Sequence, residues 1–363
     1  MAAVSHDPRI DAYAKLLVER CLRVQPGMQV VIRTTPLARP AVLALERELA
    51  RRGAYPLLRI GFDVWPSNPA WAREAPTELL GELSEIDTFA SDHMDARVTM
   101  DAPENTFDGT DLPLERLDLT KRAERYFYRR TMAGEIPWVS CAFPTQALAQ
   151  QAQMTLTELE DVFYAACLID WEAEGERMRR HLARFDAAGQ VRIVGHETDL
   201  TLSLAGRTGR VDDGHDNMPG GEFFFSPIED SAQGTILFSE FPATYRGQRY
   251  GTVRLEFRDG LVVDASATRN AEAFGALLDS DEGARRIGEL GIGCNRAIPR
   301  PMNHVLFDEK MQGSIHIALG QSYEVVGGKN ESSIHWDIVK DLRQGGRIEL
   351  DGETVQENGA WLI

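Results

Sequence analysis

The stretch SSIHWDIV, residues 332–339, sets a histidine and an aspartate two positions apart among apolar neighbours. In a strand, residues i and i+2 face the same side, so His335 and Asp337 would both reach one cation. Other candidate ligands precede them. Glu222 lies in NMPGGEFFF, Glu289 in GARRIGELGIG and Glu309 in LFDEKMQG. His316 opens HIALGQSY, which ends in Tyr323. These acids and imidazoles stand beside apolar residues rather than in charged tracts. A buried carboxylate is costly unless paired or metal-bound. Several near two histidines are cheapest when a divalent cation neutralises them. Imidazole and carboxylate donors without a thiolate suit zinc, cobalt or manganese.

Each residue also has a plainer reading. Glu222 after a Gly pair fits a solvated turn, and Glu289 fits a charge at a helix end. Asp308-Glu309-Lys310 fits an exposed turn. His316 and Tyr323 fit hydrogen-bonded core residues, and a lone H-x-D pair occurs by chance. The remaining histidines are poorer candidates: His6 is near a terminus, and His93 sits in a polar stretch. His215 lies in the acidic loop DDGHDN, and His304 falls twelve residues before His316. No G-x-S-x-G elbow and no H-E-x-x-H helix occurs. A metal hydrolase built here must therefore draw its ligands from scattered strands and loops.

The elements that position these residues divide in two. Residues 8–22 and PAVLALERELARRGA read as helices, and GMQVVIRT and YPLLRIGF as strands. The stretch 77–100 reads as helix followed by strand. This βαβα order predicts a Rossmann-like parallel sheet. Without G-x-G-x-x-G or G-x-x-x-x-G-K-[ST], nucleotide binding has no support. Residues 155–186 read as one long helix that opens on a Thr155/Glu158 capping box. Beyond it, alternating apolar and polar segments predict antiparallel sheet, with a hairpin at RDG and one helix over about 271–290 that Glu289 ends. The expected organisation is an N-terminal α/β domain, 1–188, and a C-terminal α+β metal-binding domain, 189–363, rich in antiparallel sheet.

Composition bounds the partners. The 363 residues are 43% hydrophobic and 26% charged, ordinary values for a globular protein. With 39 basic and 56 acidic residues the net charge is -17. Such a surface repels phosphate, so no nucleic-acid or anionic-membrane partner is expected. No signal peptide and no apolar run of membrane-spanning length is visible. Cys21, Cys141, Cys167 and Cys294 form no C-x-x-C pair. Reduced thiols and a cytoplasmic location are the expectation.

The order PGGE, GARRIGE, FDEK, HIALGQSY, NESSIHWD resembles the metallo-aminopeptidases of the aminopeptidase T / aminopeptidase S (PepS) type. The run YAKLLVERCLRVQPGMQVVIRTTPLARPAVLALERELARRGAYP is similar to the opening of the same family. The resemblance implies metal ligation by Glu222, Glu289, Glu309, His316, His335 and Asp337, with Tyr323 as an active-site tyrosine. It further implies two divalent ions (zinc, cobalt, manganese or magnesium), a peptide substrate with a free N-terminus, and a homodimer. The mechanism expected is two-metal hydrolysis: Glu289 shared between the ions, a non-bridging Glu222 or Glu289 moving the proton, and Tyr323 hydrogen-bonding the oxyanion. The segment EVVGGKNESSI between Tyr323 and His335 is shorter than in the longer members. Two other readings remain. His316, His335 and Asp337 match the facial triad of a mononuclear non-haem iron enzyme, similar to dihydroxypyridine ring-cleaving dioxygenases. The third is a metal-stabilised binding protein without turnover.

Overall fold

In the first 168 residues, apolar strands alternate with helices that have one apolar side, and the chain closes them into a parallel sheet. The computed structural model describes residues 7–62, 68–245 and 247–362; His6 lies outside them. The chain forms two compact units. One comprises residues 1–168 with 214–219, the other 169–213 with 220–363.

In the first unit five parallel strands lie in the order Tyr55–Ile60, Gln29–Thr34, Ala96–Asp101, Trp138–Ala142, Asn217–Met218. Val30, Ile32, Val98, Met100 and Val139 are fully buried in it. The N-terminal helical run is α-helix over Pro8–Leu16 and continues as one π turn, Leu17–Cys21. Residues 77–93 hold two helices, Thr77–Leu80 and Glu85–His93, because Ser84 caps the second by accepting from the Asp87 backbone N–H.

The long helix expected over 155–186 is two helices, Leu156–Cys167 and Trp171–Ala187. The first carries the expected Thr155/Glu158 capping box. The second starts anew because the Asp170 carboxylate accepts from the Glu172 and Ala173 N–H groups. The sequence texture changes near 188, whereas the division between the units falls at 168/169. The reason is packing: Phe185, late in the second helix, stands edge-on to Phe223 at 5.0 Å inside the second unit's core.

The second unit holds two antiparallel sheets. The larger has eight strands and includes the hairpin of Gln248–Arg258 with Leu261–Ala267. Its turn is Asp259-Gly260, with φ of 50° and 76°, the left-handed pair that a tight two-residue hairpin requires. The smaller sheet runs His335–Asp341, Ser314–Gly320, Ile287–Gly293, Glu222–Phe225, Arg210–Asp212. One of its faces is apolar: Phe223, Phe225, Leu290, Ile292, Ile315, Ile317, Leu319, Trp336 and Ile338 join the unit's core. The expected helix over 271–290 is shorter, Ala271–Leu278. Glu289 therefore lies on a strand, Ile287–Gly293, and not at a helix end. No described helix is long and apolar enough to cross a membrane.

His181, on the helix Trp171–Ala187, stacks on Trp361 at 4.0 Å. Burial, aided by Arg177 and Arg180, pushes its imidazole down to about 4. The unfolded chain takes up this proton near 6.5, the folded chain only near 4. His181 therefore lowers stability progressively as pH falls from 6.5 towards 4 and has no such effect above 6.5. Thermal melts at pH 7.5 and 5.0 should show a smaller loss for His181→Phe than for the parent. An equal loss in both would refute the assignment.

Candidate metal centre

The second face of the smaller sheet is built differently. Residues directly opposite one another in an antiparallel ladder share a face. His335 lies opposite Gly320, Asp337 opposite Ala318, and His316 opposite both Val339 and Gly291. Glu289 lies opposite Ala318, and Glu222 opposite both Gly293 and Asp212. One face thus presents Glu222, Glu289, His316, His335 and Asp337 over a floor of Gly291, Gly293, Ala318 and Gly320. The small residues make the room. A Cβ on Gly291 would fall 1.8 Å from the His316 ring, so only glycine leaves space for that imidazole.

Two candidates come from loops. Glu309 follows the short helix Val305–Asp308, and Tyr323 follows the strand Ser314–Gly320. The tripeptide Asp308-Glu309-Lys310 is not an exposed turn: Asp308 and Lys310 are buried. All the candidates except Tyr323 fall into three groups whose ligand atoms lie within 4.8 Å of one another: Glu222, Glu289, His316; Glu289, His335, Asp337; and Glu309, His316, Asp337. Tyr323 joins them through its hydroxyl, 3.4 Å from His335 Nε2.

Glu289 stands between the histidines, with Oε1 3.3 Å from His316 Nε2 and Oε2 3.3 Å from His335 Nε2. His335 Nδ1 lies 2.8 Å from the Gln321 carbonyl oxygen. A carbonyl only accepts, so Nδ1 carries the proton and donates it. Nε2 faces Glu289 and Asp337, and it is the nitrogen that a metal would take in place of its proton. Glu222 Oε2, His316 Nδ1 and Asp337 Oδ1 are buried without a hydrogen bond. Buried polar atoms are nearly always satisfied, and three unsatisfied donor atoms in one cluster fit a cation.

Electrostatics point the same way. Burial pushes the Glu222 carboxyl up to about 8, against the pull of Lys310 and His316. Burial also opposes charging of His316, but Glu222 and Glu289 outweigh it and raise the imidazole to about 10. Glu289 and Asp337 are likewise disfavoured by burial, yet the neighbouring histidines hold both below the usual carboxylate range. The negative charge here suffices to keep protons on histidines, a place a divalent ion can take. The residues present fit a bound metal.

Sequence reasoning missed two members. Lys310 and Asp212 are both buried, with Lys310 Nζ 3.5 Å from Asp212 Oδ2. The signal for Lys310 was a lone lysine between LFDE and MQGSIHIA; for Asp212 nothing in VDDGHDN marks it. His215 is hydrogen-bonded with Arg23 at 2.9 Å and belongs to none of the three groups. His304 packs edge-on against Phe307 and belongs to none of the three groups. His93 stacks on Phe89.

Comparisons with known proteins agree with this chemistry. A family model for thermophilic metalloproteases (M29) matches residues 6–361. Aminopeptidase 2 of Geobacillus stearothermophilus is 24% identical over 413 residues, covering 98% of each chain. The solved structure of wild-type AmpT from Thermus thermophilus matches with a TM-score of 0.83 at 21% identity, over 98% of this chain and 99% of that one. The 2,5-dihydroxypyridine dioxygenase of Pseudomonas putida KT2440 matches with a TM-score of 0.58 at 16% identity, over 99% and 98%. At such identities the two structures speak for a shared mixed α/β fold, and one fold can serve unrelated chemistries. The family match decides between them: the chain belongs to the thermophilic metalloprotease (M29) family, whose members are metal-dependent peptide hydrolases.

Proposed function

We propose that this chain is an aminopeptidase that removes N-terminal residues from peptides with water activated at two divalent cations. The observation that carries the reading is the gathering of Glu222, Glu289, Glu309, His316, His335 and Asp337 into three overlapping ligand groups. The overlap of the groups supports a count of two: Glu289, His316 and Asp337 each belong to two of the three. Zinc, cobalt, manganese and magnesium all accept such donors.

Bound divalent ions supply Lewis acidity for the scissile carbonyl and bring the pKa of a water towards neutrality. The remaining steps belong to the protein. Glu289, with one oxygen towards each histidine and a place in two of the three groups, would help to hold both ions. Glu222, whose carboxyl burial raises to about 8, is the residue of the cluster that would carry the proton from the attacking water to the leaving amine, with Lys310 holding its Oε1 in place. The Tyr323 phenol is pulled down by His335, but burial and the nearby carboxylates outweigh this and keep it protonated. Its O–H is thus available to donate to the tetrahedral oxyanion. A homodimer in the cytoplasm completes the reading.

The test is hydrolysis and metal content together. Leucine p-nitroanilide should be cleaved after loading with zinc or cobalt, its N-acetylated form should not, and metal analysis should find close to two divalent ions per chain. One iron per chain, with oxygen uptake on a hydroxylated pyridine, would replace this reading by the dioxygenase. Bound metal with neither reaction would leave a binding protein.

A further inference from the structure

Lysine is seldom fully buried unless paired. Lys310 is 1% exposed, and its Nζ lies 2.5 Å from Glu222 Oε1, 2.9 Å from Glu309 Oε1 and 3.5 Å from Asp212 Oδ2. An amine enclosed by three carboxylates is an ammonium, so a positive charge is fixed inside the ligand cluster.

The three ligand groups relate to this charge unequally. Glu222 belongs to one and Glu309 to another, and each already gives an oxygen to Lys310. Glu222 is left with Oε2, the atom that makes no hydrogen bond. The remaining group, Glu289, His335 and Asp337, has no hydrogen bond or ion pair to Lys310. A cation drawing on Glu222 and Glu309 therefore meets carboxylates that are part-neutralised, and an ammonium bound to the same oxygens' neighbours repels it at short range.

We propose that Lys310 makes the two cation positions unequal: the Glu289–His335–Asp337 position holds its ion tightly, and the position that draws on Glu222 and Glu309 holds its ion loosely and exchangeably. The inference rests on the metal-dependent reading above. Lys310 acts through the ligands and not on substrate. Asp212, 3.5 Å from the ammonium, tempers its field.

Zinc titration of the metal-free full-length protein against a chromophoric chelator tests this without any substrate. The parent should show two classes of site differing at least about tenfold in affinity, the scale expected when one unit charge is added beside a buried cation. Lys310→Met should tighten the loose class at least about tenfold and leave the tight class within about threefold. Asp212→Asn should move the loose class the other way, since it strips a counter-charge from Lys310. Two equal classes in the parent, or a loose class in Lys310→Met that is unchanged or weaker, overturns the proposal. If Lys310→Met yields no folded protein, Asp212→Asn decides alone, and an unchanged loose class in it overturns the proposal. A parent that binds no zinc fails the metal reading itself, which separates the two failures.

Discussion

Glu289→Ala should lower kcat for an amino-acid anilide by roughly 10³-fold or more, because Lewis-acid stabilisation worth several kcal/mol converts at about 1.4 kcal/mol per decade. Glu289 takes part in two of the three ligand groups and faces a different histidine with each oxygen. Alanine removes both contacts at once. The loss should be visible without substrate as a fall in bound divalent ions per chain. The fold should survive: the apolar face of the same strand, Leu290 and Ile292, is untouched and stays in the core. His335→Ala carries the same expectation, since it removes the imidazole against Glu289 Oε2. Circular dichroism and thermal melts of the metal-free proteins separate a site effect from unfolding. Full activity in either variant removes that residue from the centre.

The sequence made part of this centre legible, and physics accounts for which part. His335 and Asp337 could be paired from spacing alone, because strand alternation is local. The parallel first unit and the antiparallel second were readable for the same reason, each from short-range apolar periods. Family resemblance places Glu289 in the candidate ligand set, and periodicity places it on a helix, whereas it lies on a strand. AEAFGALLDSDEGARRIGEL has enough helical spacing to read on as one helix. The helix ends at Leu278, where the Ser280 hydroxyl donates to the Leu277 carbonyl and Asp281 accepts from Ser332 and Ser333, and Ile287–Gly293 pairs instead with strands at 222–225 and 314–320, distant in sequence. The break at Asp170 was written locally as an N-cap, but it lies inside a continuous helical pattern. Leu114–Met132 has no clear apolar stripe: it carries many charges, and among its described side chains the buried apolar ones, Leu117, Ala123 and Phe127, are sparse. Lys310 is the hardest case. Its burial is decided by Asp212 and Glu222, about ninety residues upstream, as well as by its neighbour Glu309.

Gly291→Ala tests the floor of the site rather than its ligands. Alanine is ordinary in a strand, and the backbone of Ile287–Gly293 is regular at this position, paired with Phe224 on one side and His316 on the other. A methyl group there would nevertheless lie 1.8 Å from His316 Cε1 and 2.4 Å from Nε2. The imidazole must move, and it has little space to do so: it is 1% exposed, with Glu222 against Nδ1 and Glu289 against Nε2. Displacement breaks the two ligand groups that share His316 and leaves Glu289, His335 and Asp337 in place. The expected result is a loss of roughly 10²-fold in turnover, the upper end of the range for disturbing a ligand's support. It should come with the loss of about one ion per chain and a melting temperature close to that of the parent in metal-free buffer. Because one methyl group is added and no ligand is removed, parent-like activity and metal content would show that His316 does not need its observed position. The ligand set would then have to be redrawn around His335.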